Sequence, residues 1–139
     1  MSDNNNNLDI SQLPEHVSKN RDMWNASSDE YERHKAYMLS GEHAMAWGNW
    51  RTPEAELHVL GEVADKDILE FGCGAARWSI ALAQRCARPI GLDVSSRQLQ
   101  HAQRLMSDAG VSFPLIEASA ERYPYLMPVL ISSFVIGVR

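Results

Sequence analysis

The sequence predicts an α/β fold in which a parallel sheet follows a helical segment. Three short apolar runs, DILEF, PIGLD and VSFPLIE, lie between residues 67 and 117 and have the length of buried strands. Two amphipathic helical stretches separate these runs, and strands that alternate with helices form parallel sheets with right-handed crossovers. We therefore expect the N-terminal half of a doubly wound, Rossmann-like sheet over residues 65–125, with three strands joined by crossover helices.

The crossover helices are predicted over residues 75–86 and roughly 96–109. Ser95 and Gln98 have the spacing of a capping box, which indicates a helix N-terminus at this point. Gly110 follows the last helical residue, as a C′ glycine does. The second helix therefore has a signal at each end.

A helical cap is predicted over residues 14–64, and a disordered leader over residues 1–13, which contain an asparagine run. Within the cap, Ser27 precedes Glu30 by the capping-box spacing, which predicts a helix that begins near Ser28.

A second cap helix is predicted in the stretch RTPEAELHVLGEVA. Thr52 is the expected N-cap and Pro53 suits the first turn, because its missing N–H needs no partner there. Leu57 and Leu60 would lie on one face of this helix.

Length, charge and cysteine usage limit the classes of function. The chain has 139 residues, with 45% hydrophobic and 22% charged residues, which is ordinary for one soluble globular domain. Its net charge of −5 argues against nucleic-acid and membrane partners, because both attract basic surfaces. Cys73 and Cys86 lack a metal-ligand spacing and no secretory signal opens the chain. A reduced, cytoplasmic protein without a metal site is therefore expected.

The stretch EFGCGAARWS, between the first strand and the first crossover helix, predicts a ligand-binding loop. In parallel sheets, the carboxyl end of a strand and the N-terminus of the next helix form a ligand crevice. Gly72 and Gly74 lack Cβ atoms, so the backbone can turn tightly and approach a ligand. On the glycines alone, a tight turn without a ligand remains an alternative.

Asp93 strengthens the prediction of a ligand. It ends the second strand about 20 residues after the loop begins, where an acidic residue binds a ribose in dinucleotide folds. By itself, Asp93 would also suit the entry to the following helix. A carboxylate at this position can accept hydrogen bonds from two neighbouring ribose hydroxyls. The loop and the acid together predict a cofactor that contains a nucleoside.

Two classes of cofactor contain such a nucleoside. A nicotinamide or flavin dinucleotide would place its pyrophosphate over the glycines and the helix N-terminus. That site prefers a third small residue, whereas Arg77 stands there, and Glu70 before the glycines would repel phosphates. S-adenosylmethionine carries a sulfonium and an ammonium cation, which Glu70 would attract. The loop therefore favours S-adenosylmethionine.

Three motifs, ILEFGCGAA, GLDVS and ASAERYPY, resemble in order and spacing the class I S-adenosylmethionine-dependent methyltransferases, in particular the small-molecule branch with an N-terminal helical segment. The resemblance covers residues 67–125. It implies direct methyl transfer from the sulfonium to a small-molecule acceptor, with the protein positioning and desolvating the reactants. It names no catalytic residue in this chain.

The resemblance also implies which residues bind the cofactor. They are Glu70, Gly72, Gly74, Asp93, Val94, Ser119 and Ala120. The first three would surround the methionine portion, Asp93 would bind the ribose hydroxyls, and Val94 would pack on the adenine. Ser119 and Ala120 stand where family members often have Asp-Ala. Ser119 would therefore accept a hydrogen bond from the adenine amino group more weakly than a carboxylate does.

Other residues of the cap and loop have less specific roles. Tyr31 and His34 could reach the methionine end of the cofactor, although packing of their helix face on the domain explains both equally well. Cys73 is expected to be a small loop residue rather than a reactive thiol. Three aromatic residues are expected to pack within the cap: Trp24, Trp47 and Trp50.

The end of the chain departs from the family's pattern. Where the family usually continues with a fourth strand in the style PDxSFDxV, residues 126–139 read LMPVLISSFVIGVR. If this tail is read from the third base of the Tyr125 codon, permissible codons give PDASFDFVFCDWGA. We therefore expect that one base was lost after Tyr125 and that the domain is truncated after its third strand. The nucleotide sequence of the gene tests this expectation.

A sheet truncated in this way would expose one edge of the first strand and could self-associate there. The tail VLISSFVIG is a fair strand sequence and could occupy that edge by chance. We expect an S-adenosylmethionine-dependent methyltransferase that is incomplete on its acceptor side. The alternatives are an NAD(P)- or FAD-binding oxidoreductase fragment, which titration with both cofactors distinguishes, and a non-catalytic relic, which binds the cofactor without turnover.

Overall fold

A computed structural model describes residues 12–35, 44–122 and 134–137. Its helices are α1 (Glu15–Lys35), α2 (Glu54–Leu57), α3 (Arg77–Gln84) and α4 (Ser96–Ala109). Its strands are β1 (Ala46–Trp47), β2 (Thr52–Pro53), β3 (Asp67–Phe71), β4 (Arg88–Asp93), β5 (Leu115–Glu117) and β6 (Phe134–Gly137). A 3-10 turn spans Ala120–Arg122.

The main sheet is parallel and has the order β5-β4-β3-β6. Ile68 of β3 pairs with Pro89 of β4, and Gly91 of β4 pairs with Leu115 of β5. The three predicted strands and the α/β fold class are therefore confirmed. The third strand is shorter than the apolar run that predicted it, because Pro114 lacks the N–H that a longer ladder would need.

The fourth strand, β6, lies in the apolar tail and pairs with β3 from Ile68 opposite Phe134 to Phe71 opposite Gly137. The sheet therefore has four strands in the described residues rather than three, and the edge of β3 that the sequence left exposed is covered. The tail thus occupies this edge, as its strand-like sequence allowed, and self-association itself stays a prediction. Apart from β6, the tail lies outside the described residues, as do residues 1–11 of the predicted leader.

The two crossover helices have the predicted positions. The side chain of Ser95 accepts a hydrogen bond from the backbone N–H of Gln98, and Gly110 ends α4 in the left-handed conformation at φ 67°. The first helix, α3, is two residues shorter at each end than predicted, and Ala76 before it is left-handed, at φ 57°. Since a left-handed residue cannot continue a right-handed helix, α3 begins at Arg77.

The core lies on both faces of the sheet, as the alternation of side chains along a strand requires. On one face, Ile68 of β3 packs in a cluster with Trp78 and Leu82 of α3. On the other, Leu69 packs with Leu92 of β4 and with Ala118 after β5. These two buried clusters, one on each face, keep the strands of the sheet side by side, so that the carboxyl ends of β3, β4 and β5 lie at one edge.

The first cap helix differs from its prediction. It begins at Glu15 rather than near Ser28, since the backbone N–H of Ser18 already bonds to the carbonyl of Pro14. The hydroxyls of Ser27 and Ser28 donate to the carbonyls of residues one turn earlier, at Met23 and Trp24, instead of capping a helix.

Helix α1 lies against α4 through a polar contact at its middle. Asp29 accepts two hydrogen bonds from the guanidinium of Arg97, at 2.7 and 2.8 Å, and contacts the Nε2 atom of His101 at 2.8 Å. The side-chain oxygen of Asn25 accepts a hydrogen bond from the hydroxyl of Ser95 at 2.7 Å. The cap is therefore attached to the first turn of the helix that follows β4.

The second predicted cap helix is mostly absent. Thr52 and Pro53 form β2, which pairs antiparallel with β1, and only the four residues of α2 are helical. His58 ends α2 in the left-handed conformation. The carboxylate of Glu54 accepts hydrogen bonds from the backbone N–H of Leu60 and from the indole of Trp47, and these contacts fold the chain back on itself.

Candidate functional site

A cavity of about 1030 Å³ opens at the carboxyl ends of β3, β4 and β5 and is closed on its other side by the cap. This volume is at the upper end of the range for small-molecule sites. The position matches the crevice where parallel sheets bind ligands.

Six of the seven cofactor residues predicted from the sequence line this cavity. They are Gly72, Gly74, Asp93, Val94, Ser119 and Ala120. They come from the connections that follow β3, β4 and β5, so the parallel topology brings them together. The seventh predicted residue, Glu70, is not among the lining residues.

The glycine loop has the backbone that the sequence predicted. Gly72 and Gly74 have φ values of 65° and 55°, in the left-handed region that favours glycine. A Cβ atom on Gly74 would lie 3.3 Å from the side-chain oxygen of Gln98. A side chain at Gly74 would therefore be strained by the left-handed backbone and would need Gln98 to shift, and the bare backbone of the loop forms part of the cavity wall.

Asp93 links the glycine loop to the start of α4. Its Oδ2 atom accepts a hydrogen bond from the backbone N–H of Gly74 at 2.8 Å, and its Oδ1 atom accepts one from Ser95 at 2.8 Å. Burial raises the pKa of the carboxyl, and these backbone hydrogen bonds oppose the rise. Each carboxylate oxygen retains acceptor capacity for a ligand in the cavity.

Glu70 lies behind the loop rather than in the cavity wall. Its carboxylate accepts hydrogen bonds from both the backbone N–H and the hydroxyl of Ser79, in the first turns of α3. Its pKa is raised to about 7: burial is the largest cause of the rise, the Ser79 hydrogen bonds oppose it, and the negative charge of Asp93 adds a smaller increase. In this position Glu70 supports the start of α3, and its predicted contact with a cationic cofactor stays a prediction.

The connection after β5 completes the sheet side of the cavity. Ser119 is buried, and its hydroxyl accepts a hydrogen bond from the backbone N–H of Glu121 at 3.3 Å. Ala120 begins the 3-10 turn, and Val94 is half-buried next to Asp93. The hydroxyl proton of Ser119 remains available to a ligand, because in the Glu121 contact the oxygen is the acceptor.

The cap supplies an aromatic wall on the opposite side. Trp24 and Tyr31 lie 5.4 Å apart between ring centroids and almost perpendicular, and both line the cavity. Trp47 packs on Trp78 of α3 with centroids 4.8 Å apart. His34 is exposed beside Glu30 and is not among the lining residues, so of the two predicted cap contacts only Tyr31 reaches the cavity.

Trp50 does not pack within the cap, contrary to its prediction. Its side chain is 93% exposed, in the turn between β1 and β2. The same turn places Gly48, Asn49 and Arg51 on the cavity wall. Such a short antiparallel pair can bury only the side chains of its own strands, and Trp50 lies in the turn beyond them.

Residues 68–134 match the family described as "Methyltransferase domain". Residues of this chain are also 36% identical over 66 positions to the ubiquinone biosynthesis O-methyltransferase of Pseudomonas fluorescens (strain SBW25). The family match and the curated relatives support a class I S-adenosylmethionine-dependent methyltransferase domain over these residues, which are slightly less than half of the chain. The family match ends at Phe134, the first residue of β6.

The curated relatives are longer than the part of this chain that matches them. The match to the Pseudomonas protein covers 48% of this chain and 28% of the relative. The ubiquinone biosynthesis O-methyltransferase of Saccharophagus degradans is 34% identical over 62 residues, which is 45% of this chain and 26% of that protein. The shared region is therefore about a quarter of each relative.

Solved structures share the fold of this chain. Magnesium protoporphyrin IX methyltransferase from Synechocystis PCC 6803 with bound SAM (S-adenosylmethionine) has a TM-score of 0.55 and 20% sequence identity, over 80% of this chain and 58% of that one. The same enzyme with bound SAH (S-adenosylhomocysteine) has a TM-score of 0.54 and 19% identity, over 76% and 52% of the two chains. This likeness confirms the Rossmann-like architecture.

Glu32 and Arg77 line the cavity and were not predicted as site residues from the sequence. Glu32 of α1 and Arg77 of α3 form an ion pair of 2.5 Å in the cavity wall. In the sequence, Arg77 stands out only because it occupies the position where a dinucleotide-binding loop prefers a third small residue. Glu32 is buried in α1, which is unusual for an acid, but its burial follows from docking of the helix and no pattern in the sequence marks it.

Gln98 also lines the cavity, although in the sequence it indicates only the start of α4. Its side chain is 3% exposed, and its Oε1 atom has no hydrogen-bond partner in the part of the chain that the structure describes. Cys73 also lines the cavity, and burial raises the pKa of its thiol, so the thiolate is disfavoured at neutral pH. Across the described ranges, no helix has the length and apolar character needed to cross a membrane.

Proposed function

We propose that this chain binds S-adenosylmethionine in the cavity between the sheet and the cap, and that the protein methylates an oxygen atom of a small molecule. The two curated relatives support the oxygen acceptor, since both are named O-methyltransferases. Structural neighbours with bound SAM and SAH support the cofactor. The proposal depends above all on one observation, that residues from three successive strand ends line one cavity around Asp93.

The cavity wall fits the cofactor in a specific order. Asp93 is at the end of β4, with the glycine loop after β3 on one side and Ser119 after β5 on the other. The ribose would therefore bind at Asp93 and the adenine at Val94 and Ser119. The methionine portion would lie over Gly72 and Gly74, whose bare backbone permits a close approach.

The cofactor supplies a methyl group activated by a sulfonium cation. The chain's residues hold the adenosine portion through the carboxylate of Asp93, and the cap covers the opposite side with Trp24, Tyr31 and Trp47. Such a wall excludes water and fixes the orientation of the bound molecules, which are the main contributions of a protein to direct group transfer. Glu70 stabilises the start of α3 from behind the loop.

Asp93→Ala tests the proposal by calorimetric titration with S-adenosylhomocysteine. The variant loses a charge-assisted acceptor for the ribose hydroxyls, so we expect a roughly tenfold to hundredfold loss of affinity. Asp67→Ala is the matched control, because Asp67 is an exposed acid at the opposite end of β3, and it should keep wild-type affinity. Unchanged binding in Asp93→Ala, or tighter binding of NAD than of S-adenosylhomocysteine to the wild type, would contradict the proposal.

Several conclusions drawn from the sequence remain predictions. They concern the cytoplasmic location, the absence of nucleic-acid and membrane partners, self-association, the domain boundaries and the lost base after Tyr125. Both cysteines are free, Cys73 buried and Cys86 exposed, as a reduced compartment would allow. The nucleotide sequence of the gene remains the test of the lost base.

A further inference from the structure

The ion pair of Glu32 and Arg77 joins the cap to the sheet half inside the cavity wall. The side chains are 7% and 14% exposed, respectively, and both residues line the cavity. Buried ion pairs lose hydration that their mutual attraction often only balances, so apolar residues would hold the two helices together at least as well. Stability alone therefore does not account for a charged pair at this position.

The pair also has unused hydrogen-bonding capacity. A guanidinium has five N–H donors, and the contact with Glu32 involves the Nη2 atom of Arg77. Within the described ranges, the buried Nε atom of Arg77 has no hydrogen-bond partner. A desolvated cation with spare donors beside a carboxylate is a suitable site for a ligand that carries both charges.

The position of the pair follows from the order of the strands. Ser119 follows β5, Asp93 ends β4, and Arg77 begins the helix after β3, so these residues occur in this order along the sheet edge. Neighbouring strands are about 4.8 Å apart, which gives a distance of roughly 10 Å from β5 to β3. A ligand with its adenine at Ser119 and its ribose at Asp93 therefore has its other end near Arg77 and Glu32.

We propose that Glu32 and Arg77 bind the zwitterionic amino-acid head of the cofactor. The guanidinium of Arg77 would bind the α-carboxylate, and the carboxylate of Glu32 would bind the α-ammonium. Since ligand and site each carry one charge of either sign, binding leaves the net charge of the site unchanged. The inference rests on the proposed function, because it assumes that the adenosine portion binds at Asp93.

The test compares two ligands that share the adenosine and the thioether. S-adenosylhomocysteine carries the amino-acid head, and 5′-methylthioadenosine lacks it. The readout is the ratio of their dissociation constants, measured by calorimetry on the full chain. Because the second ligand reports on the adenosine site alone, a variant that merely disturbs the fold weakens both ligands together.

Arg77→Gln and Glu32→Gln should each weaken S-adenosylhomocysteine roughly tenfold to hundredfold and leave 5′-methylthioadenosine within about twofold of the wild type. Each single variant leaves a buried charge unpaired, which can impair folding. The double variant carries two neutral amides instead, and it should show the same loss for S-adenosylhomocysteine alone. Asp29→Asn is the control for cap attachment, since it weakens the contact with α4 outside the cavity and should leave the ratio unchanged.

Lys35 and Arg51 are competing cations, because both also line the cavity. If Lys35→Gln or Arg51→Gln lowers the affinity for S-adenosylhomocysteine selectively and Arg77→Gln does not, the assignment to Arg77 is overturned. Equal weakening of both ligands by the double variant would overturn the proposal as well, since the pair would then be structural. If the wild-type chain binds S-adenosylhomocysteine no more tightly than 5′-methylthioadenosine, the amino-acid head contributes nothing to affinity. That result would refute this inference and leave the adenosine site intact. Failure to bind either ligand would refute the proposed function too.

Discussion

The two walls of the cavity differ in how they are built. The sheet wall consists of backbone turns after β3, β4 and β5, tied together by Asp93 through hydrogen bonds to Gly74 and Ser95. The cap wall consists of long side chains from α1 and from the turn between β1 and β2. The sheet wall therefore depends on local backbone conformation, whereas the cap wall depends on how a helix docks. Substitutions on the two walls should fail in different ways.

Gly74→Val should produce the largest effect, because it alters the glycine loop of the sheet wall. The left-handed backbone is unfavourable for a β-branched residue, and the new Cβ would lie 3.3 Å from the side-chain oxygen of Gln98. We expect roughly a hundredfold loss of affinity for S-adenosylhomocysteine by calorimetry.

Gly61→Val is the matched control for backbone strain. Gly61 has φ 63° with open space around its missing side chain, and it is not among the lining residues. Both variants should lose roughly 1–3 kcal/mol of unfolding free energy, but only Gly74→Val should lose affinity. Equal affinities in the two variants would show that the loop does not contact the ligand.

Glu70 should make the stability of the sheet side depend on pH. Burial raises its pKa from 4.5 to about 7, so between these values the native state keeps a proton that the unfolded state has released. The free energy of unfolding therefore falls as pH rises through this range, by up to roughly 3 kcal/mol. Denaturant unfolding at pH 5 and pH 8 measures the difference.

One substitution and one neighbouring carboxyl group sharpen this prediction. Glu70→Gln is neutral at both pH values and should flatten the dependence between them. Asp67, on the same strand, has a pKa lowered by its hydrogen bond with Arg88, so its contribution has the opposite sign and is lost as pH falls. A wild-type chain that is more stable at pH 8 than at pH 5 by more than the error would contradict the burial of a protonated Glu70.

The tryptophans of the hairpin should give the smallest effects, and they separate packing from exposure in the cap. Trp47→Ala removes contacts with Trp78 and a hydrogen bond to Glu54, so it should cost roughly 2–3 kcal/mol in thermal or denaturant unfolding. Trp50→Ala changes a side chain that is 93% exposed and should stay within about 0.5 kcal/mol of the wild type. A reversed order of the two would mean that the hairpin packs differently.

The same contrast explains how much the sequence could predict. Strands β3 and β4, helix α4 and six cavity residues followed from local patterns, because parallel topology fixes where strand ends meet. The cap was predicted less well. The docking of α1 on α4 depends on contacts between residues distant in sequence, such as Asp29 with Arg97, and the short α2 depends on side-chain contacts of Glu54 that no helix pattern indicates.

Individual site residues show the same limit. Glu70 could be recognised as an acid before the glycines, but only the pairing of β3 decides that its side chain points toward Ser79. Glu32 and Arg77 are 45 residues apart, and no local pattern relates them. Sequence patterns thus locate sites that the backbone forms, but they miss side-chain contacts that arise when one helix packs against another.

The most direct test of the central claim is an amide NMR titration of the chain with S-adenosylhomocysteine. If the cavity is the cofactor site, the largest saturable shift changes should occur at Gly72, Gly74, Val94 and Ser119, which come from three separate connections. Gly61 and Gly110, which lie away from the cavity, should show little change. Saturable binding with its largest changes outside these connections, or no binding at millimolar ligand, would contradict the account.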